Sequence, residues 1–440
     1  MITPKISSLT NLQKSFVINA IIMFLWWLAF NPGFYSGDSF AIIETARGGK
    51  ISSESTAIWA IVVKFLSING SHPEIATLFF AQLFALSVSM FAHSLFDGKT
   101  ARWSSAGLCM TPLVGAMGIT LWHDIPMTSG FLLVVAGILR YVKKETYSLT
   151  LLTLGVVLSS FRYNGIPTLL LTIVLLAFFL KPRKLIFLAL VTTIGIGGLT
   201  ATLDARFSPP TSTHSDGFIN WMRYDLSCYA ASSTDDEFFQ KEFKGEANRE
   251  FWKSSQACTW FNDSAAFFER PTNLTDKIPS AWLALTQKNP LFVLTTHMKR
   301  HEYLNPIPIY GPSRMPFIHT TIEYPGQNIN FWNAALSEKL RVYPRIWNYF
   351  NFIFGFSGFW LVLIFLLAWR KRNLVYFGLG VLGLVLNSGL FIFAIISDAR
   401  FSLYILIAGQ LIAIGEFIKY LGGKGKSAAL HHSFWYETKP

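Results

Sequence analysis

The sequence predicts an all-α polytopic membrane protein with about ten transmembrane helices and a mainly helical or irregular extracytoplasmic domain. Three observations predict this class. Of the 440 residues, 52% are hydrophobic and only 14% are charged, whereas a soluble domain carries about 25% charged residues. Apolar runs that approach the length needed to cross a bilayer, about 20 residues, recur along the chain. Lys and Arg gather in every second connection between these runs.

The N-terminal module, residues 1–203, is predicted to contain seven spans and a first outer loop, residues 32–75. In this loop Ser39–Arg47 has a helical pattern closed by Gly48 and Gly49. The apolar run Thr56–Ile68 is too short to cross and carries Lys64, so it is predicted to be an interfacial helix. The seven predicted spans are Ser15–Asn31, Ala76–Phe96, Ser104–Trp122, Ile125–Tyr141, Thr146–Arg162, Gly165–Leu180 and Lys184–Leu203.

The central segment, residues 204–345, is predicted to be an extracytoplasmic domain. It contains 15 Lys/Arg and 15 Asp/Glu and is therefore neutral. Helical periodicity is clear in Ile278–Gln287 and again in Leu291–Tyr303, with Asn289 and Pro290 between them. The C-terminal module, residues 346–440, adds three spans and a cytoplasmic tail; the spans are Ile346–Trp369, Leu374–Phe393 and Phe401–Tyr420.

The positive charge of the chain has a topological meaning. Outside the central segment there are 22 basic and 10 acidic residues, which account for the whole net charge of +12. The basic residues assigned to the cytoplasmic side are scattered over six separate segments, so a nucleic-acid surface is a poor interpretation and no nucleic-acid partner is expected. Basic connections usually face the cytoplasm and its anionic lipids. Both termini are therefore predicted to be cytoplasmic.

Charged and polar residues at span ends gather on the opposite, outer side. Ionisable groups at membrane depth are costly and usually functional, so these residues form a candidate site. Simpler roles stay open. Asp38 and Asp124 could cap helices, and the side chain of Arg162 could extend to the membrane interface. Asp398 and Arg400 could form a local ion pair. The candidates are Asp38, His123, Asp124, Arg162, Asn164, Asp398 and Arg400.

A second candidate cluster lies in the central segment. His297, Lys299, Arg300 and His301 follow one another on the second periodic helix. Their charge suits a phosphate group, and a solvated basic face is the alternative. Two of the three cysteines, Cys228 and Cys258, also lie in this segment, and an oxidising outer compartment would let them form a disulfide.

The sequence contains no motif that predicts a metal site. It contains no C-x-x-C or H-E-x-x-H pattern, which would indicate bound metal. A divalent cation, Mg²⁺ or Mn²⁺, between Asp38 and Asp124 stays open, although no ligand cluster demands one.

The outer motifs resemble those of the GT-C membrane glycosyltransferases, and look closest to bacterial members. The resemblance rests on Pro32–Ser39 after the first span, on Trp122–Asp124, on Arg162–Gly165 and on Asp398–Phe401. Relatives often carry a Trp-His-Pro element soon after the first-loop Asp, which the corresponding Ser52–Trp59 lacks.

The resemblance implies a reaction on the outer face of a bacterial inner membrane. Asp38 would be the general base, and Asp124 would be the second acidic residue of the catalytic site. The donor would be a polyprenyl-phosphate-linked sugar, and the acceptor a glycan, lipid or protein of the cell envelope. Direct displacement would invert the anomeric centre. The other candidate residues would bind the substrate and its phosphate. They are His123, Arg162, Asn164, Lys299, Arg300, His301, Asp398 and Arg400.

Two alternatives stay open. A polysaccharide ligase of the O-antigen type would also move glycan from a lipid diphosphate, and the His297–His301 cluster would suit it. A flippase or transporter of lipid-linked sugars would also have many spans. It would, however, place polar residues within the spans, where this chain has little beyond Asn19 and Asn387.

Overall fold

A computed structural model describes residues 10–49, 55–143, 148–162, 164–180, 183–207, 215–253, 258, 272–301, 304, 332–393 and 402–422. All regular secondary structure in these ranges is helical. The one β-type contact among them is an isolated parallel bridge between Phe34 and Thr120. The described part of the chain is therefore all-α, as the sequence predicts.

The described part of the N-terminal module contains ten helices. They are α1 (Asn11–Ala29), α2 (Gly37–Ala46), α3 (Ala57–Leu66), α4 (Pro73–Leu95), α5 (Gly98–Met110), α6 (Pro112–Gly118), α7 (Asp124–Val142), α8 (Ser148–Ser159), α9 (Gly165–Leu180) and α10 (Arg183–Phe207). The predicted interfacial run corresponds to α3, which Thr56 caps by accepting a bond from the Trp59 N–H. One face of α3 is buried and Phe65 on the other is exposed, a pattern typical of an amphipathic helix.

The rest of the chain adds two further groups of helices. The central segment contains α11 (Ser215–Ser232), α12 (Asp236–Glu242), α13 (Arg249–Trp252), a 3₁₀ turn (Thr272–Lys277), α14 (Ile278–Lys288), α15 (Pro290–Arg300), α16 (Ala334–Leu340) and the start of α17 (Val342–Tyr349). The C-terminal module continues with α18 (Asn351–Phe354), α19 (Ser357–Lys371), α20 (Leu374–Phe393) and α21 (Leu403–Gly422). The two periodic helices predicted around Asn289 are confirmed as α14 and α15.

Five of the described helices are long and apolar enough to cross a membrane: α1, α4, α7, α20 and α21. Shorter apolar helices accompany them within α3, α8 and α9. Side chains such as Ile21, Phe187 and Ile194 are exposed on helix faces, where water would be unfavourable and lipid would not. These features indicate an integral membrane protein.

Two of the predicted spans are wrong as single helices. Ser104–Trp122 is broken between α5 and α6, because Pro112 has no N–H to continue the ladder and its ring disfavours a helical residue before it. Ile346–Trp369 begins as the short helices α17 and α18, and the long helix α19 starts only at Ser357. The hydropathy of an apolar run does not show where a proline interrupts the backbone or at which residue a long helix begins.

Two of the packed helices approach each other closely where glycines meet. On α7 and α8, a Cβ added at Gly130 would lie 2.5 Å from the carbonyl oxygen of Gly155. Backbones this close need glycine at the contact. Between α1 and α4 the contact is polar, since the amide of Asn19 donates to the Ser89 hydroxyl at 2.8 Å. The helices thereby enclose a continuous apolar core.

The central segment has its own small core and returns to the membrane helices. Trp221, Phe239, Phe243 and Trp252 are buried there, and a disulfide joins Cys228 and Cys258. At its end, the Trp332 N–H donates to the carbonyl oxygen of Asn31 at 2.9 Å. The Ser337 hydroxyl donates to the carbonyl oxygen of Ala29 at 2.8 Å. The returning chain therefore contacts the end of α1, where the first outer loop begins.

Candidate functional site

The stretch that carries Asp38 is fixed to the chain just before Asp124. The Phe34 N–H donates to the carbonyl of Ile119 at 3.2 Å, and the carbonyl of Phe34 accepts from the Leu121 N–H at 3.4 Å. The indole N–H of the buried Trp122 donates to the Ser36 hydroxyl at 2.6 Å. Two segments about 85 residues apart in sequence are thus joined side by side.

Asp38 lies in the first turn of α2 and is half-buried. It is not the N-cap, which is Ser36, whose backbone N–H donates to the Ser39 hydroxyl at 3.1 Å. A helix N-terminus stabilises a negative charge by its exposed N–H groups and its dipole. Asp38 therefore lies where the exposed N–H groups of the first turn of α2 favour a negative charge.

Asp124 and Arg162 form an ion pair where α7 begins and just after α8 ends. Asp124 is fully buried, and 17% of the Arg162 side chain is exposed. The Nε2 atom of His123 lies 3.7 Å from a carboxylate oxygen of Asp124. The close packing of α7 on α8 brings these residues together. Asp124 therefore contacts Arg162, while Arg162 keeps part of its side chain at the surface.

Neighbouring contacts bring two further segments to the same end of the bundle. The Thr56 hydroxyl donates to the carbonyl of Phe161 at 3.0 Å, one residue before Arg162. A carboxylate oxygen of the buried Asp204 accepts from the Ala57 N–H at 2.5 Å. Asn164 is exposed and lies directly before α9. The sequence analysis did not identify Asp204 as a candidate. An acidic residue at the end of a predicted span is the signal by which it could have been found.

The predicted basic cluster on α15 surrounds a buried carboxylate that the sequence analysis did not identify. Asp225 on α11 is fully buried and pairs with Arg300. It also accepts from Nε2 of His297 at 2.8 Å and from the indole of Trp282 at 2.7 Å. Burial lowers the pKa of Arg300, and the neighbouring carboxylate of Asp225 acts in the opposite direction. The charge of Arg300 is thus compensated within the protein.

The other members of this cluster occupy different positions. Lys299 is exposed on α15, whereas His301 is fully buried with its ring 5.7 Å from those of His297 and Phe391. The Nδ1 atom of His297 is 2.9 Å from the carbonyl oxygen of Phe391, near the end of α20. The alternative of a solvated basic face does not hold for His297, Arg300 and His301, which are buried. The cluster instead connects the central segment to a membrane helix.

Three predicted features complete the description. Asp398 and Arg400 lie outside the residues that the structure describes, a few positions after α20. Among the described residues, no group of three or more His, Cys, Asp or Glu side chains could hold a metal ion. The carboxylate of Asp124, one of the two acids considered for a cation, already contacts Arg162.

The site therefore combines a carboxylate at a helix N-terminus with an arginine held by a buried acid. Asp38, Asp124 and Arg162 stand on segments that hydrogen bonds and helix packing bring to one end of the bundle. Comparison with known proteins adds no assignment: no family model, no curated protein and no solved structure matches this chain.

Proposed function

We propose that this protein is a membrane glycosyltransferase that moves a sugar from a polyprenyl-phosphate donor to a cell-envelope acceptor. The reaction takes place at the end of the bundle that carries Asp38. This side lacks nucleotide sugars if it is extracytoplasmic, so a lipid-linked donor supplies the activated sugar. The apolar helices accommodate the polyprenyl chain.

In this proposal Asp38 is the general base. It takes the proton of an acceptor hydroxyl as that oxygen attacks the anomeric carbon, and the bond from this carbon to the phosphate oxygen breaks. Attack from the side opposite the phosphate inverts the anomeric centre. The polyprenyl phosphate leaves with the electron pair, and cationic donors stabilise its charge.

Arg162 is the proposed phosphate contact, with His123 beside it. The exposed part of the Arg162 side chain can approach a phosphate, while the buried carboxylate of Asp124 fixes the position of the guanidinium. Asp124 is then a positioning residue. Asn164, Lys299, Asp398 and Arg400 are proposed to contact donor or acceptor, whereas Arg300 and His301 act through the buried cluster around Asp225.

One observation carries the proposal. The Trp122 indole and the Phe34–Thr120 bridge hold the Asp38 stretch against the residues that lead into Asp124. A base and an arginine from distant parts of the chain are therefore held at one end of the same bundle. That arrangement suits attack on a phosphate-linked carbon better than transport, which would need polar groups along the spans.

We further propose ten spans, with both termini in the cytoplasm and residues 204–345 outside. The alternation of basic connections supports this arrangement. Helices lie within the predicted spans, and five of the described helices are long and apolar enough to cross a membrane. In a bacterium the membrane would be the inner membrane, where polyprenyl carriers are loaded.

The decisive experiment replaces Asp38 by Asn in the native host at wild-type protein levels. Surface glycans and lipid-linked sugars are then profiled by mass spectrometry. We expect one sugar to disappear from a surface glycan and its polyprenyl-phosphate donor to accumulate. Removing a general base typically costs about 10²–10⁴-fold in rate, so the loss should be close to complete.

A matched control is Asp97→Asn, which also removes one carboxylate. Asp97 is exposed at the start of α5 and its side chain makes no capping bond. This variant should keep a normal glycan profile. If Asp38→Asn leaves the glycans unchanged, Asp38 is not the base. If only deletion of the protein has an effect and lipid-linked sugar then collects on the cytoplasmic side, the protein is a flippase.

A further inference from the structure

Two short helices at the end of the central segment carry exposed apolar side chains. They are α16 and α17, which lead from this segment toward the long helix α19. The side chains of Trp332, Leu336, Val342, Tyr343, Ile346 and Tyr349 are between 44% and 81% exposed. Val342, Ile346 and Tyr349 follow at spacings of four and three residues, so they share one face of α17. An exposed apolar surface of this kind marks contact with a membrane or with another protein.

The same two helices have a charged side and a side that faces the protein. Glu338 on α16 pairs with Arg341 and with Arg345, each at 2.9 Å. These three residues follow at spacings of three and four, which places them on one side. Ser337 and Pro344, seven positions apart, are buried against the rest of the protein. The helices are therefore amphipathic, because their apolar, charged and buried side chains occupy different sides.

Contacts with α1 show where these helices lie. The Ser337 hydroxyl donates to the carbonyl oxygen of Ala29, the last residue of α1, at 2.8 Å. The ring of Tyr343 stacks on that of Trp26, with 6.1 Å between the ring centroids. Because α1 is long and apolar enough to cross a membrane, its last turn marks one boundary of the bilayer. The helices α16 and α17 therefore lie at that boundary.

Lipid is the partner that this position favours. On its last turns α1 itself exposes Ile21, Leu25 and Leu28, so lipid that covers this surface also reaches the helices that pack on its end. Tryptophan and tyrosine collect at the boundaries of a bilayer, because their rings have an apolar body and a polar tip. Trp332 and Tyr349, which are 74% and 81% exposed, are side chains of this kind.

We propose that α16 and α17 lie in the plane of the bilayer, between the headgroups and the acyl chains. Their apolar side enters the acyl region, and the side that carries Glu338 faces headgroups and water. Such helices bury their apolar face about 5–10 Å deep. The Trp332 N–H donates to the carbonyl oxygen of Asn31 at 2.9 Å, so the bilayer surface then lies beside the start of the stretch that leads to Asp38. This inference does not rest on the transferase reaction.

The test is site-directed spin labelling of the full chain in liposomes of phosphatidylethanolamine and phosphatidylglycerol. Cys109 is buried and the other two native cysteines are bonded to each other, so an introduced thiol takes the label. Collisions of the nitroxide with oxygen, which dissolves in lipid, are compared with collisions with a water-soluble nickel chelate. Leu336→Cys and Ile346→Cys should give an oxygen-to-nickel ratio several-fold above that of Gln240→Cys, an exposed position on α12.

Ala334→Cys is the matched control on the same pair of helices. Ala334 is exposed and lies four residues before Glu338, on the charged side. Its oxygen-to-nickel ratio should stay several-fold below those of Leu336→Cys and Ile346→Cys. All the replaced side chains are exposed, so the substitutions leave the packing of the helices intact.

Three results would overturn the proposal. Frequent nickel collisions at both apolar positions would show that they face water. Rare collisions with both reagents would show that protein covers them, and dipolar broadening between labels would identify that protein as a second copy of the chain. Labels in a helix that lies in the plane should have similar depths. A depth difference of about 15 Å, the rise of ten helical residues, would make α16 and α17 part of a span.

Discussion

At the scale of single residues, Asp124 and Arg162 illustrate how the protein can hold a charge at membrane depth. Asp124 has no exposed surface, and its carboxylate contacts a guanidinium that is partly exposed. Two charges removed from water are tolerated only as a well-made pair. The pair therefore explains why a buried acid occurs at the start of α7.

We predict that Asp124→Asn destabilises the protein by roughly 3–5 kcal/mol, because it removes the buried carboxylate that pairs with the Arg162 guanidinium. The measurement is thermal unfolding of the detergent-purified protein. The double variant Asp124→Asn/Arg162→Gln should regain part of the loss, since it removes both charges. Asp38→Asn, at a half-buried position, should unfold near the wild-type temperature. Additive losses in the double variant would show that the two residues are not coupled.

The sequence predicts that Asp124 and Arg162 lie at the ends of neighbouring spans, because charge at a span end is visible in the one-dimensional pattern. It could not identify their partners. Asp225 lies more than 70 positions from His297 and Arg300, and nothing in a local pattern links an acid to groups so distant. From the sequence alone, the basic residues of α15 suit a phosphate site or a solvated face, whereas the structure pairs Arg300 and His297 with the buried carboxylate of Asp225.

At the scale of elements, the contact between α7 and α8 determines where Arg162 lies. A Cβ at Gly155 would be 2.6 Å from the carbonyl of Gly130 and 2.7 Å from a methyl carbon of Val134. The two helices can approach this closely only because glycine has no side chain. Arg162 follows α8 directly, so a change in this packing would also move the arginine.

We predict that Gly155→Ala destabilises the protein by about 1–3 kcal/mol, the usual result of overpacking, and weakens the proposed transferase activity. Gly195→Ala is the matched control on α10, where an added Cβ meets nothing within 4 Å. It should be neutral or slightly stabilising. Thermal unfolding and the glycan profile of both variants check the prediction. A Gly155→Ala protein as stable as the control would contradict the close approach.

Most helices could be predicted from hydropathy, because a bilayer-length apolar run has few alternatives to a helix. The predicted Gly165–Leu180 and Leu374–Phe393 have the same bounds as α9 and α20. The break at Pro112 could not be found by hydropathy, since the residues on both sides are equally apolar. Its backbone chemistry, and not its polarity, ends α5.

At the scale of the whole molecule, the proposed topology makes a prediction that does not depend on the reaction. Cys109 is buried and the other two native cysteines are bonded to each other, so introduced thiols can be labelled selectively. A membrane-impermeant maleimide should label Gln240→Cys in intact spheroplasts. It should label Lys99→Cys only after permeabilisation. Both positions are exposed, so a difference between them reports the side of the membrane.

Labelling of both variants in intact spheroplasts would contradict the arrangement, as would labelling of Lys99→Cys alone. The second result would place the Asp38 site in the cytoplasm, where nucleotide sugars are present, and a lipid-linked donor would no longer be required.

The break between α5 and α6 also constrains how this sequence can diverge. The indole of Trp26 donates to the freed carbonyl of Cys109 at 3.2 Å, and a Cβ at Gly115 would lie 2.0 Å from the same ring. In a bilayer no water replaces such a donor. Homologues that lose Pro112 should therefore be free to lose Trp26 and Gly115 as well. Those that keep the proline should keep all three, so these positions evolve as one unit.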